Sequence, residues 1–274
     1  MRRIRLIVSY DGTNYCGWQI QENAVTVEGT LTDALRKWLK EDIEIIGASR
    51  TDSGVHAYGN IAVFDTNSRI PAEKFAIGLN HYLPEDIRVQ KSDEVESDYH
   101  PRYRNTEKTY EYTILNTKIN LPTYSRYSYH VYHPLDFEAM KEAAALLVGE
   151  HDFSAFCSAG SQVKSKVRTI YEVSLDKQKA MGCNGGEVIR IRVRGNGFLY
   201  NMVRIIAGTL VEVGEAEAPP MVDPTGQGYY ITRMDLNAYF GSVNVACYSS
   251  ANGGFSAGAD SRRNGKGSAR NDLN

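Results

Sequence analysis

The sequence lacks the features that mark several large classes of protein. Its four cysteines are far apart and form no Cys-x-x-Cys pair, and its six histidines show no metal-ligand spacing. His130 and His133, in a predicted strand, would point to opposite faces. Scattered thiols indicate a reducing compartment, so we expect a cytosolic protein with no metal site.

Long apolar runs and a strong net charge are also missing. The most apolar helix-like stretch, "FLYNMVRIIAGTLVEV", has Arg204 in its middle and is shorter than the ~20 residues that a membrane span needs. The basic N-terminus is too interrupted for a signal peptide, so we expect no membrane partner. The formal net charge is -2, so a polyanionic partner must be inferred from local patches.

Familiar catalytic constellations are missing too. "GNG" at 195–197 precedes a predicted helix, but no Walker lysine and no complete Gly-x-Gly-x-x-Gly accompanies it. No Ser-His-Asp or Cys-His arrangement can be defended. His56 could be catalytic, although a hydrogen-bonded structural role is the commoner one for such a histidine.

The first 96 residues carry alternating strand and helix patterns. Strands are predicted at 4–10, 42–48, 58–66 and 85–95 from their period of two. Helices are predicted at 26–40, from apolar residues at helical spacing, and at 71–83, where Pro71 suits a first helical position. The resulting order, β-α-β-β-α-β, is that of a ferredoxin-like unit.

The second part of the chain nearly repeats this order. Strands are predicted at 108–116, 167–176, 187–195 and 229–236, with 125–133 pairing with the first of them. Helices are predicted at 136–149 and 198–213. The sequence therefore predicts an α+β fold of two ferredoxin-like halves, residues 1–104 and 105–240, with antiparallel sheets and a cleft between the halves.

The C-terminal segment, residues 241–274, has a different composition. Of its 34 residues, 17 are Gly, Ser or Asn. With so few apolar groups to bury, we expect it to be disordered.

The stretch "GASRTDSGVHA", residues 47–57, places one carboxylate at a turn between two predicted strands. Asp, Ser and Gly favour turns, which explains part of this pattern. Arg204 lies on a helix that is apolar on most faces, so we expect it to be largely buried and to need an anionic partner. That partner could be any structural acid, or it could be Asp52, held ionised as a nucleophile.

Aromatic and basic residues are concentrated locally. Eight of the 18 tyrosines lie between Tyr99 and Tyr132, interleaved with basic residues. Such a mixture suits unpaired nucleotides, although tyrosine is also an ordinary strand residue. Two further basic clusters, "QVKSKVR" at 162–168 and "RIRVRG" at 190–195, make a polyanionic partner plausible, but a solvated sheet face could look the same.

Several motifs together resemble the bacterial tRNA pseudouridine synthase A family. They are "YDGTNYCGWQIQ", "TVEGTLTDAL", "GASRTDSGVHA", "KTYEYTI" and "GNGFLYNMVRIIAGTLVEVG", in order over residues 3–214. The resemblance implies a cofactor-free isomerisation of uridine to pseudouridine in the anticodon stem-loop of tRNA. It also implies a central RNA-binding cleft and a homodimer that binds one tRNA.

The resemblance gives roles to individual residues. Asp52 matches the nucleophilic aspartate, Tyr110 the tyrosine that stacks on the target base and helps remove its C5 proton, and Arg204 the arginine paired with the nucleophile. Arg50 matches the arginine that accompanies the flipped-out nucleotide. The further residues that we expect to bind RNA are basic ones from the clusters, Arg102, Lys164, Lys166 and Arg168.

Two alternatives remain open at this stage. One is an RNA-binding module without catalysis, since paired ferredoxin-like halves resemble RRM sheets. The other is the same chemistry at a different RNA site. The chain also departs from the family after Gly214, where the usual further helical segment before the last strand is missing, so the resemblance does not extend to the closure of the second sheet.

Overall fold

The computed structural model describes residues 1–103, 107–160, 163–182, 185–215 and the backbone of 245–250. Ten strands and four α-helices lie in these ranges. In chain order they are β1 Arg2–Tyr10, α1 Val27–Leu39, β2 Ile45–Gly47, β3 His56–Thr66, α2 Lys74–Leu79, β4 Ile87–Val95, β5 Glu107–Asn116, β6 Tyr129–Val131, α3 Phe137–Ala145, β7 Gly149–Asp152, β8 Val167–Lys179, β9 Glu187–Gly195, α4 Met202–Glu215 and β10 Val245–Ser250.

The first half, residues 1–103, contains β1 to β4 and two helices. Its strands lie in the order β4-β1-β3-β2, and every neighbouring pair is antiparallel. Helix α1 begins where the Thr26 side chain accepts a hydrogen bond from the Gly29 N–H, and it ends at Lys40 in the left-handed conformation, φ 58°. Apolar residues of β1 and β3 pack against α1 and α2 in one core.

The second half, residues 107–215, has β5, β9, β8 and β7 as neighbouring antiparallel strands. The short strand β6 pairs parallel to β5, which confirms the predicted pairing of these segments. Asp136 caps α3 by accepting from the N–H groups of Glu138 and Ala139. Helices α3 and α4 pack over the apolar face of these strands to form a second core.

Strand β10 joins the two sets of strands into one ten-stranded sheet. It runs parallel to β3 and antiparallel to β5, with Cys247 opposite Ala57 on one side and Tyr110 on the other. The six residues of β10 belong to the segment predicted to be disordered, and the structure instead places them between the halves. The predicted strand at 229–236 and the remainder of 241–274 lie outside the described residues.

The α+β class is confirmed, and the differences from the predicted elements are local. Helix α2 covers only six residues and begins after Pro71. Helix α3 ends at Ala145, four residues before Gly149, which has φ +121° and begins the short strand β7. Within the described ranges, none of the helices is long and apolar enough to cross a membrane.

Candidate active site

Asp52 lies in the turn between β2 and β3, residues 48–55, which we call the Asp52 turn. The turn is tight: the Val55 N–H donates to the Asp52 carbonyl at 3.1 Å. The buried side chain of Asn60 fixes its first part, donating to the Ser49 carbonyl at 3.1 Å and accepting from the Ser49 N–H at 3.3 Å. Asp52 itself is half-buried.

The last residue of β1 and the segment that follows this strand hold the Asp52 turn by hydrogen bonds. The Trp18 N–H donates to the Thr51 carbonyl at 3.0 Å, and the hydroxyls of Tyr10 and Thr51 are 2.7 Å apart in a buried hydrogen bond. The Tyr15 carbonyl accepts from the Gly54 N–H at 3.3 Å. These contacts hold Thr51, directly before Asp52, and Gly54, two residues after it.

The Asp52 turn forms one wall of a small open cleft, and the second half forms the other wall. The lining residues come from the turn, from β5 and from the N-terminal end of α4: Arg50, Thr51, Asp52, Val55, Tyr110, Phe198, Leu199, Asn201, Met202, Val203 and Arg204. Four of the residues that the sequence singled out, Arg50, Asp52, Tyr110 and Arg204, therefore meet in one place.

The environment of Asp52 shifts its ionisation in two directions. Burial raises the pKa of the Asp52 carboxyl above its ordinary value, and the positive charge of Arg204 lowers it in part. The Arg204 guanidinium donates to the Ser53 carbonyl at 3.3 Å. Among the described residues, no direct ion pair joins Asp52 and Arg204, so their interaction acts through space across the cleft.

Arg204 is less buried than the helix pattern predicted. Its side chain faces the cleft and is half-exposed, whereas its neighbours Val203 and Ile205 are buried. The apolar surroundings in the sequence misled the prediction because α4 begins at the cleft, which removes neighbours from one side of its first turn.

Tyr110 lies where the two cores meet. Its side chain packs against both the first and the second hydrophobic cluster. Its ring contacts Phe198 edge to face, with the ring centres 4.9 Å apart. The ring orientation is thus fixed from both halves, and the tyrosine forms part of the cleft wall.

The predicted RNA-binding residues fall into three groups. Arg50 is exposed at the rim of the cleft and has no ion pair within the described part of the chain. Arg102 does not line the cleft; its Nε donates to the Gly47 carbonyl at 2.8 Å, next to the Asp52 turn. Lys164, Lys166 and Arg168 also lie outside the lining, in the segment that enters β8.

Two of the broader sequence signals have mainly structural explanations. Of the eight clustered tyrosines, only Tyr110 is among the described residues that line the cleft. On the opposite face of the sheet, Arg190 and Arg192 pair with Glu111, and Arg194 pairs with Glu107 and Glu172. Acidic residues on neighbouring strands thus neutralise the positive charge of the three arginines in "RIRVRG".

The structure adds lining residues that the sequence argument did not assign. Phe198 and Leu199 supply the apolar wall, and Asn201 is held in the left-handed conformation, φ 58°, just before α4. Val55, from the Asp52 turn, belongs to the core of the second half. The motif "GNGFLYN" could have indicated from the sequence that Phe198 and Asn201 lie at the site, whereas no local pattern indicates this for Val55. No group of side chains in the described ranges could hold a metal ion.

Known proteins match the chain along most of its length. A family model described as tRNA pseudouridine synthase matches residues 6–104 and 143–222, which include Asp52 and Arg204 but not Tyr110. The "tRNA pseudouridine synthase A" of Thermoanaerobacter sp. (strain X514) is 49% identical over 214 residues, 78% of this chain and 85% of that protein. The protein of the same name from Brevibacillus brevis is 46% identical over 220 residues, 80% of this chain and 87% of that protein.

The family model covers the Asp52 turn and the helix that carries Arg204, the two elements that form the opposing walls of the cleft. The chain therefore belongs to the tRNA pseudouridine synthase family.

Proposed function

We propose that this isomerase converts uridine to pseudouridine in the anticodon stem-loop of tRNA, with Asp52 as its nucleophile and without a cofactor. The observation that carries the proposal is the cleft itself. Asp52, Tyr110 and Arg204, which come from distant parts of the chain, line the same space. The two halves supply its two walls. The strand order β4-β1-β3-β2 in the first half, and β10-β5-β9-β8 where β10 adjoins the second, supports a ferredoxin-like arrangement of each half.

The reaction rearranges bonds without a net gain or loss of atoms or electrons. The Asp52 carboxylate attacks C1′ of the sugar or C6 of the uracil, and the glycosidic bond between C1′ and N1 breaks. The uracil turns and forms a new bond from C5 to C1′. The C5 proton leaves, N1 gains a proton, and the carboxylate is released. No oxidant, reductant or further reactant is needed.

Each cleft residue has a distinct role in this proposal. Arg204 keeps enough of Asp52 in the anionic form that can attack, by opposing the effect of burial on its pKa. Tyr110 stacks on the target base and helps to remove the C5 proton. The exposed Arg50 contacts the phosphate of the flipped-out nucleotide or fills the space that it leaves.

Basic residues beside the cleft complete the RNA interface. Lys164 is exposed and Lys166 half-exposed, and neither has an ion pair in the described part of the chain, so both are available to phosphates. Arg168 lies near Gly197, the residue directly before Phe198 of the cleft wall. Arg102 donates its Nε–H to the Gly47 carbonyl, and its other guanidinium N–H groups can donate to RNA.

The resemblance to the family also supports a homodimer and a cytosolic location. Two copies of this chain would bind one tRNA. Analytical ultracentrifugation at micromolar concentration tests this part, and a monomer that modifies tRNA at the full rate would contradict it.

The decisive experiment is tritium release from a tRNA transcript labelled at C5 of uridine. We expect Asp52→Ala to abolish release while tRNA affinity stays within about tenfold, ~1.4 kcal/mol. Asp42→Asn is the control, because Asp42 is a carboxylate that is 90% exposed and does not line the cleft. Full release by Asp52→Ala would contradict the nucleophile assignment.

The same assay separates the two alternative functions. Tight tRNA binding without any release by the wild-type chain would favour an RNA-binding module. Release from hairpins that lack the anticodon stem-loop, at the rate seen with tRNA, would favour the same chemistry at a different RNA site.

A further inference from the structure

A cluster of charged and polar side chains joins the two halves at a distance from the cleft lining. Asp11 and His56 belong to the first half, and Arg126 and Tyr127 to the second. The Asp11 carboxylate accepts from the Tyr127 hydroxyl at 2.7 Å, and the Arg126 guanidinium lies 3.5 Å away. The Nδ1 of His56 is 3.1 Å from the same carboxylate.

Asp11 is suited to be a permanent anion. Burial alone would raise the pKa of its carboxyl, but hydrogen bonds from Thr13 and Tyr127 outweigh this effect and lower the pKa to about 2. The hydrogen bond to Asp11 is also the largest cause of a raised pKa at the Tyr127 hydroxyl, which therefore stays protonated and able to donate. The contact persists over the neutral pH range.

This cluster is connected to the Asp52 turn by short contacts. His56 directly follows the turn, and its Nδ1 accepts from the Gly12 N–H at 3.1 Å. A Cβ placed on Gly12 would be 2.1 Å from the Val55 carbonyl oxygen, so the backbone next to Asp11 touches the end of the turn. The His56 ring also packs edge to face on Tyr127, with ring centres 5.1 Å apart.

We propose that Asp11, His56 and Tyr127 form a latch that positions the Asp52 turn of the first half against Tyr110 and Arg204 of the second. These three are positioning residues, since none of them lines the cleft. The inference rests on the proposed function, because the position of Asp52 matters only if Asp52 reacts. Misplacing a reacting group by about 1 Å can lower a rate by about a hundredfold, so a latch of this kind acts on the chemical step.

The test compares two tyrosine-to-phenylalanine variants three residues apart. Tyr127→Phe removes the hydroxyl that donates to Asp11, whereas Tyr124→Phe removes a hydroxyl that accepts from the Met181 N–H, away from the latch. We expect Tyr127→Phe to lower the rate of pseudouridine formation about tenfold, with the Kd for tRNA changed less than twofold. Tyr124→Phe should change neither value more than twofold.

Single-turnover measurement, with each variant in excess over labelled tRNA, makes the rate constant independent of the fraction of folded protein. Asp11→Asn should have an effect similar to that of Tyr127→Phe, and the double variant should be no slower than the slower single variant, because both remove the same contact. Multiplied effects in the double variant would overturn the latch, as would a normal Tyr127→Phe rate or a loss confined to tRNA affinity.

Asp52→Ala in the same assay distinguishes a failure of the proposed function from a failure of the latch. If Asp52→Ala retains activity, the proposed function fails. If Asp52→Ala is inactive while Tyr127→Phe has the wild-type rate, the proposed function stands and the latch is wrong.

Discussion

Two opposing influences act on the ionisation of Asp52, the residue proposed as the nucleophile. The surrounding protein excludes water and raises the pKa of the carboxyl, which favours the protonated form that cannot attack. Arg204 acts in the opposite direction from across the cleft. Because the guanidinium is held by the Ser53 carbonyl rather than by the carboxylate itself, the Asp52 oxygens stay available to the substrate.

Removal of Arg204 should therefore change the pH dependence of the reaction. In Arg204→Met the pKa of Asp52 rises further, so the carboxylate is protonated up to a higher pH. We expect the acid limb of the single-turnover rate to move to higher pH, with partial recovery of the rate at alkaline pH. The measurement is the rate of tritium release across the pH range.

Arg194→Met is the matched control for this experiment. Arg194 pairs with Glu107 and Glu172 on the opposite face of the sheet, so its removal leaves the field at Asp52 nearly unchanged. An acid limb at the same pH in both variants and in the wild type would show that Arg204 does not control the ionisation of Asp52.

The segment between β1 and α1 fits beneath the Asp52 turn because it contains glycine where a side chain has no room. Gly17 has φ +89°, and a Cβ on it would lie 2.5 Å from the Thr51 carbonyl oxygen. That oxygen already accepts from the Trp18 N–H. The close backbone approach fixes the residue directly before Asp52.

Gly17→Ala should consequently reduce activity more than its backbone strain alone explains. Gly160 provides the comparison, because it has the same φ of +89° but nothing within 4 Å of its Cβ position. Each alanine should cost about 1–2 kcal/mol of stability from the positive φ. We expect only Gly17→Ala to lower the single-turnover rate, by tenfold or more. Thermal denaturation and tritium release together check this, and equal rates in the two variants would contradict it.

Elements that arise from local patterns could be predicted, and those that depend on distant partners could not. Helices α1, α3 and α4 follow from apolar spacing with Thr26 and Asp136 as caps. The short strand β7 exists through its pairing with β8, which no local period reveals, whereas β6 lies within the strand predicted at 125–133. The insertion of Val55 into the core of the other half is likewise a tertiary contact.

Whether a basic cluster is neutralised also depends on distant residues that the local sequence does not reveal. Three basic clusters look alike in the sequence, but the register of β5, β8 and β9 places acidic residues beside Arg190, Arg192 and Arg194. Lys164 has no such partner among the described residues, and Lys166 makes no ion pair there, although it is close enough to Asp152 to help lower the pKa of that carboxyl. Among the residues that line the cleft, Arg50, Asp52, Tyr110 and Arg204 could be selected in advance, because the motifs that carry them resemble the family specifically.

Salt dependence distinguishes these two kinds of basic cluster. Replacing Lys164 and Lys166 together by Ala should weaken tRNA binding and reduce the slope of log K against log salt concentration by about 1–2, because phosphate contacts are lost. The single-turnover rate should stay within twofold. Arg194→Ala, on the compensated face, should leave the slope unchanged. Equal slopes for both variants and the wild type would contradict a role for the two lysines in tRNA binding.

Strand β10 is the element that makes one sheet from two halves, and it lies beside the cleft. It has three residue pairs with β3 and six with β5, and Cys247 is opposite both Ala57, which closely follows the Asp52 turn, and Tyr110. Without this strand the edges of β3 and β5 next to the cleft would be unpaired. The backbone of β10 therefore spans the two elements whose separation decides whether Asp52 and Tyr110 face the same substrate.

Two truncated chains test this role of β10. A chain ending at residue 250 keeps the strand, and we expect it to retain the wild-type rate of tritium release within twofold. A chain ending at residue 244 loses both ladders of backbone hydrogen bonds. Its halves would no longer be held in register, so we expect at least a tenfold lower single-turnover rate, with a lower midpoint of thermal unfolding. If both chains react at the same rate, the sheet hydrogen bonds of β10 do not set the geometry of the cleft, and the packing of Val55 and Tyr110 between the two cores is sufficient to hold it.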